Sequence, residues 1–462
     1  MEAIRRLEQE PTPEVIAASV ESDLANRNED VKTFVQMLNR IEGPFIILVD
    51  GPWGDGKTFF VKTVEQVLKA LNPQLYTDEG IKSEQLEPIT KELENETISF
   101  LPFYFNAWEN DFAEDPTTAI LASMAVSFNR ADMIKKRKVS ELLPAAIDAA
   151  LSITPISLRV SSVADSLKGD NLVESYSKRT TLRGLINKLA EESNLEIANK
   201  LVIFIDDLDR CRPDFAVKLL EQVKHLFQSK NLIVVISTDS VQLAHAISGL
   251  YGSEYDSTHF IERFFDRRLT LTPCDPYQVA TGMTFQTTKC LFDMLVEELL
   301  KSRRLTPRDV IRIEDKIAEA RKYVNLKEGR ESQGYQGFAL TAAENALLPV
   351  LVFMERDDQK TFRNVVNGND YEALYEYGKH YDVFNETIDR AMHESHFEDA
   401  NQDYFGTPEA RKFYVRSLCM AIYAPDQNIR EVDEARHYLR IQNLRFDAGV
   451  FKRLEFPENQ DM

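Results

Sequence analysis

The sequence predicts an open, doubly wound α/β sheet over roughly its first 275 residues, followed by an α-helical lid and a helical C-terminal domain. Three observations carry this prediction. Apolar runs recur at 45–50, 100–105, 201–207 and 232–237 and read as strands, the first of them, which has no breaker, as one buried on both faces. Helical stretches separate these runs, the alternation that builds a mostly parallel sheet. The first run leads directly into a glycine-rich loop that opens a helix, whereas beyond Asp275 the strand signals fade.

Residues 12–42 read as helices, with Val31, Phe34, Val35, Leu38 and Ile41 at helical spacing. The strand Phe45–Asp50 then enters Gly51-Pro52-Trp53-Gly54-Asp55-Gly56-Lys57-Thr58, which fits G-x-x-x-x-G-K-[ST], and a helix continues to about Leu71. Strand, loop and helix in that order are the setting a phosphate-binding loop requires. Gly51, Gly54 and Gly56 let the chain curl so that successive N–H groups point inward, and the new helix adds its positive end. The segment Gly51 to Phe59 is therefore the candidate nucleotide cradle, with Lys57 placed to reach the β- and γ-phosphates and Thr58 to hold Mg²⁺. Residues 72–98 are acidic and polar and read as a surface insertion.

The second strand runs into Asn106-Ala107-Trp108-Glu109, and a helix opening near Pro116 carries Ile120, Leu121, Met124 and Val126. Residues 131–180 form a second insertion. They hold the one dense basic run, Lys135-Lys136-Arg137-Lys138, which reads as a solvated helix face or, more sharply, as a phosphate or nucleic-acid contact. The strand Leu201–Asp207 ends in two carboxylates. Asp206 is placed to hold Mg²⁺, and Asp207 to orient or deprotonate an attacking water. After a helix from Pro213, the strand Leu232–Ser237 ends in Ser237-Thr238-Asp239, where a polar residue can sense the γ-phosphate or cap the helix from Val241. Arg268–Thr272 reads as a fifth strand. Residues 276–304 are helical, Thr306-Pro307-Arg308-Asp309 opens another helix, and the chain stays helical to Met462 with loops near 329–337 and 367–370. His393 and His396 have no partner of metal type and read as surface or packing residues.

At 462 residues the chain exceeds one ordinary core. Its apolar content of 43% and charged content of 28% are those of a soluble globular protein. The formal charge of −20 argues against a wide nucleic-acid-coating surface, though not against a small basic site. Cys211, Cys274, Cys290 and Cys419 are scattered, which suggests a reducing compartment without disulfide frame or zinc. No leader-like apolar core opens the chain and no run of about 18 uncharged apolar residues occurs, so neither a signal peptide nor a membrane span is expected.

Taken together, GPWGDGKT, FYFNAWEND, VIFIDDLDRCRPDFAVKLLEQVKHLF, LIVVISTDSVQLAHAI and FIERFFDRRLTLTP resemble the KAP family of P-loop NTPases over roughly residues 20–330. The Trp inside the phosphate loop, the strand-end FNAW and IDDLDRC are the most specific elements. The resemblance implies an additional-strand P-loop domain over 1–275, a helical lid over 276–330 and a helical domain over 331–462, similar to STAND-type switches. It implies ATP and Mg²⁺ as ligands, with Lys57 and Thr58 binding them and Asp206 and Asp207 as the acidic pair. Arg210 is expected either to hold its loop or to act in catalysis, while Arg263, Arg267 and Arg268 are candidates to meet the γ-phosphate of a neighbouring subunit. Arg308 is placed as a second sensor, and Trp53 and Trp108 read as packing residues rather than base-stackers. Many family members carry membrane helices where residues 131–180 fall; this chain lacks them, so a cytoplasmic member is expected. The implied function is an ATP-driven switch in bacterial defence against phage. It would act as a homo-oligomer, and the helical half would engage a protein effector or sensor. Two alternatives remain open: a scaffold stabilised by nucleotide with little turnover, and a nucleic-acid-remodelling ATPase, which the net charge disfavours.

Overall fold

The computed structural model describes residues 10–72, 83–93, 98–129, 198–226, 229–283, 290–321, 342–394 and 406–423. The 131–180 insertion with its basic run, and His396, lie outside them. The chain divides into two compact units, Met1–Pro273 and Cys274–Met462.

The first unit is built on five parallel strands: β1 (Phe45–Asp50), β2 (Phe100–Asn106), β3 (Lys200–Asp206), β4 (Leu232–Thr238) and β5 (Arg267–Thr270). Their order is β2-β3-β4-β1-β5. Parallel neighbours require crossovers, and here helices supply them on both faces. On one face Ile47, Val49, Val202, Phe204, Ile233 and Val235 pack against α1 (Pro13–Ser22), α2 (Asn28–Arg40) and α3 (Lys57–Ala70). On the other, Leu101, Phe103, Ile203, Ile205, Val234 and Ile236 share a core with helices that follow β2, β3 and β4. Alternation of the side chains between two apolar layers explains why these strands read as apolar runs rather than as alternating apolar and polar residues.

The predicted surface insertion at 72–98 is corrected in part. Ser83–Leu86 and a short helix α4 (Glu87–Thr90) drive Leu86, Ile89 and Leu93 into the α1–α3 core, all fully buried. The acidic residues around them stay outside. Val126, expected on the inner side of α5 (Pro116–Asn129), is exposed, whereas Ile120, Leu121 and Met124 are buried. β5 starts and ends earlier than expected, because Asp266 accepts the backbone N–H of Ile46 and sets its register beside β1. At the start of β3, Lys200 donates to the carbonyls of Leu38, Asn39 and Ile41, which closes the C-terminal end of α2 with a cation.

The remaining helices of the first unit are α6 (Pro213–Leu226), α7 (Ser240–Tyr251) and α8 (Ser257–Glu262). The second unit is helical throughout its described residues: α9 (Pro276–Met283), α10 (Leu291–Lys301), α11 (Pro307–Arg321), α12 (Leu348–Asp357), α13 (Gln359–Val366), α14 (Ala373–Gly378), α15 (Asp382–Glu394) and α16 (Pro408–Tyr423). The helical stretch expected at 276–304 is thus two helices. Thr306 and Asp309 form a reciprocal cap at the start of α11, as the Thr-Pro-Arg-Asp sequence predicts. Glu298 of α10 accepts the Asp382 and Val383 N–H groups at the start of α15, and the Arg303 guanidinium lies between Asp357 and the rings of Phe353, Tyr377 and Tyr381. All four cysteines are free thiols. Among the described residues no helix is long and apolar enough to cross a membrane.

Gly43 tests how tightly β1 is seated. Its N–H donates to Lys230 at 2.7 Å, and a Cβ there would lie 2.2 Å from the Leu232 carbonyl oxygen. Gly43→Ala should therefore cost roughly 1–3 kcal/mol. A melting temperature lowered by several degrees is the expected reading, and an unchanged one would show that the entry to β1 yields freely.

Candidate active site

The C-terminal ends of β1, β3 and β4 converge on the loop that joins β1 to α3. Gly54 and Gly56 take positive φ values of 87° and 86°, a region costly for residues with a Cβ. Gly51 is confined for another reason, since a Cβ there would meet the Asp55 carboxylate at 2.8 Å. Lys57, buried in the first turn of α3, folds back to donate to the carbonyls of Gly51 (2.7 Å) and Pro52 (3.0 Å). Thr58 is half-buried beside it, and Phe59 packs toward the α1–α3 core. Arg27, just before α2, clamps the loop from outside through the Asp55 carbonyl (3.3 Å) while pairing with Asp30 (3.1 Å). Burial pushes the Asp55 carboxyl up, against the pull of Arg27 and Lys57.

Each strand-end acid has its own holder. Asp50, the last residue of β1, is paired with the Arg268 guanidinium and accepts the Ser240 N–H (2.8 Å). Asp206, at the end of β3, is 1% exposed and accepts the Tyr104 hydroxyl at 2.9 Å. Asp207 lies just past the strand in the left-handed region (φ 58°). Arg210 approaches Asp207 at 3.3 Å, and Asn106 at the end of β2 reaches both Asp207 (3.5 Å) and Glu109 (3.3 Å). Asp209 binds three elements together: it accepts the Trp53 indole N–H, the Thr238 hydroxyl (2.8 Å) and the Asp239 N–H (3.2 Å).

A model of the KAP family P-loop domain matches residues 27–322. The chain belongs to the KAP family of P-loop NTPases. That membership places it among proteins that bind and hydrolyse nucleotide. No curated protein matches the chain.

Within this KAP domain the expected cradle, Gly51 to Phe59, and the acidic pair Asp206 and Asp207 follow β1 and β3, the two strands that flank β4. The residues fit Mg²⁺–nucleotide: a hydroxyl on Thr58, a buried carboxylate on Asp206 and, between β1 and β3, a Ser237 hydroxyl that is 1% exposed and has no hydrogen-bond partner among the described residues. Of the strand-end trio, Asp239 proves to be the cap of α7, accepting the N–H groups of Val241 and Gln242, and Thr238 is committed to Asp209. The two tryptophans are not packed inside. Trp53 is 51% and Trp108 52% exposed; the first is fixed by Asp209 and the second lies under the Arg210 guanidinium at 5.6 Å. All four arginines are exposed; Arg210 pairs with Asp207 and Arg268 with Asp50 of their own chain. Arg308 is half-buried in the first turn of α11, in the second unit.

The sequence assigns no role in the site to Arg27, Asp50 or Tyr104, and marks Asn106 only as part of the FNAW motif. Asp50, Tyr104 and Asn106 had a signal, a polar residue inside or at the end of an apolar run; Arg27 had none.

Burial and the Asp206 charge push Asp207 up to about 6, against the pull of Arg210. A carboxyl with a raised native pKa binds its proton more tightly folded than unfolded, so its ionisation costs native stability as pH rises from about 4 to about 6. Asp207→Asn should then raise the melting temperature of the nucleotide-free protein at about pH 8, by about 2–4 °C. The gain should shrink as pH falls from about 6 toward 4. A gain independent of pH, or none, would contradict the assignment.

Proposed function

We propose that the chain is an ATP-driven switch: binding of ATP and Mg²⁺ at the β1–α3 loop reshapes or assembles the protein, and hydrolysis resets it. The observation that carries this reading is the chain of contacts through Asp209. It joins Trp53 in the phosphate loop to Thr238 at the end of β4 and to the N–H of Asp239, the cap of α7. A loop that closes on phosphates moves Trp53, and Asp209 passes that movement to a second strand and a helix.

In this mechanism Lys57 leaves the Gly51 and Pro52 carbonyls for the β- and γ-phosphates, a stronger charge-assisted partner. Thr58 and Asp206 would hold Mg²⁺, which when bound would supply positive charge against the phosphates. Asp207 takes the proton of the attacking water, its burial having moved its pKa toward working pH, and Asn106 with Glu109 fixes it from the β2 side. ATP is the nucleotide that the family implies, and the sequence, which has no Asn-Lys-x-Asp guanine signature, fits it. The switch would act in a homo-oligomer in the bacterial cytoplasm, in defence against phage, with the helical unit engaging an effector or sensor.

Steady-state ATP hydrolysis tests the reading. Lys57→Ala should abolish turnover, and Asp207→Asn should still bind ATP while turning over about 10²–10⁴-fold more slowly. An Asp207→Asn protein that hydrolyses at the normal rate would remove Asp207 from the role of base. Absence of turnover in the parent protein, with ATP still raising its melting temperature, would favour the scaffold.

With Arg210 and Arg268 held in their own chain, Arg263 and Arg267 are the arginines we assign to a neighbour's γ-phosphate, an effect worth about 10³–10⁵ in rate. Mixing Arg263→Ala or Arg267→Ala subunits with Lys57→Ala subunits should restore part of the activity that each lacks alone. No recovery in either mixture would contradict a shared site.

A further inference from the structure

Parallel, in-register strands turn paired residues to the same face. β3 and β4 pair Asp206 with Ser237, and β1 and β4 pair Val49 with Ser237. Two-residue alternation then places Ser237 in line with Ile233 and Val235, Asp206 in line with Val202 and Phe204, and Val49 in line with Ile47. Those residues form the core beneath α3, so Ser237 and Asp206 lie side by side on the face that α3 covers, at the strand ends where the phosphate loop begins. Tyr104 belongs to the same face. It packs against that core, carries the Lys62 ammonium 4.7 Å from its ring centre, and sends its hydroxyl to one oxygen of Asp206.

Two features of this layer stand outside what a hydrolytic acid pair needs. The first is the Ser237 hydroxyl, buried and without a protein partner among the described residues. Native proteins seldom leave such a group unpaired, and its neighbours here are a carboxylate and the glycine-rich loop. The second is the Tyr104 hydroxyl, which fixes a single Asp206 oxygen and leaves the other for a cation.

We propose that Tyr104 and Ser237 are positioning residues for Mg²⁺ in this chain: Tyr104 orients the Asp206 carboxylate, and Ser237 bonds to the hydration shell of the ion that Asp206 and Thr58 hold. The inference rests on the proposed Mg²⁺–ATP site and assigns it a floor built from β2 and β4. Neither residue touches the reacting phosphate, so the effect of removing them falls on the cation and not on nucleotide recognition by Lys57 and the loop.

The test titrates Mg²⁺ into the full-length protein with a fluorescent N-methylanthraniloyl ATP, comparing the parent chain with Ser237→Ala, Ser237→Thr and Tyr104→Phe. Affinity for the nucleotide in EDTA serves as the folding control and should be unchanged. Loss of a group that supports a metal ligand typically weakens metal affinity by about 10–100-fold. The half-saturating Mg²⁺ concentration should therefore rise by about 10-fold or more in Ser237→Ala and Tyr104→Phe, and return toward the parent value in Ser237→Thr. A rise in one variant alone confines the role to that residue and overturns the other. Half-saturation within about 2-fold of the parent in both, with the parent binding Mg²⁺–nucleotide normally, overturns the inference while leaving the ATP site intact. A parent protein whose nucleotide binding ignores Mg²⁺ overturns the inference together with the site it rests on.

Discussion

The register between β1, β3 and β4 is the constraint on which the site depends. Asp50 lies opposite Thr238, Val49 opposite Ser237, and Ser237 opposite Asp206, so three strands present their polar ends at one level. A slip of one residue would turn every apolar side chain in a strand to the other core. The two apolar layers therefore hold the acids in place. Gly43, pressed against the start of β4, and Asp266, bonded to the start of β1, set that register from the opposite end.

Bringing the strand ends to one level concentrates negative charge. Asp50, Asp206, Asp207 and Asp209 gather there in a chain already rich in carboxylates. The fold answers with a separate partner for each: Arg268 for Asp50, Tyr104 for Asp206, Arg210 for Asp207, and Trp53 with Thr238 for Asp209. Among these four, burial outweighs the cation at Asp207, leaving a carboxyl whose pKa is pushed up to about 6. Lys57, meanwhile, bonds neutral carbonyls that a phosphate outcompetes. The arrangement pairs its acids with side chains of their own fold and its lysine with neutral carbonyls, which suits a site that must exchange an anionic ligand.

How much of this was legible depends on whether the information was local. The strands, the glycine-rich loop and the pair Asp206 and Asp207 could be read because hydrophobic runs and loop chemistry are written in neighbouring residues. The contacts of Arg27 with Asp55, Arg268 with Asp50 and Asp209 with Trp53 could not, since each spans a sequence separation that only the folded register closes. Residues 83–93 show a different failure. Leu86, Ile89 and Leu93 have helical spacing, but the acidic composition around them masks three buried side chains. The tryptophans, read as packing residues, are half exposed, with the indole N–H of Trp53 and the ring face of Trp108 used at the surface by Asp209 and Arg210.

The claim that the β1–α3 loop is a working nucleotide site through Lys57 is tested most directly by thermal unfolding with and without Mg²⁺–ATP. A ligand that binds only the native state stabilises it by about 2.7 kcal/mol at a hundredfold excess over its Kd. The parent protein should melt several degrees higher with Mg²⁺–ATP, and Lys57→Ala should not respond. Equal stabilisation of both proteins, or of neither, would contradict the account.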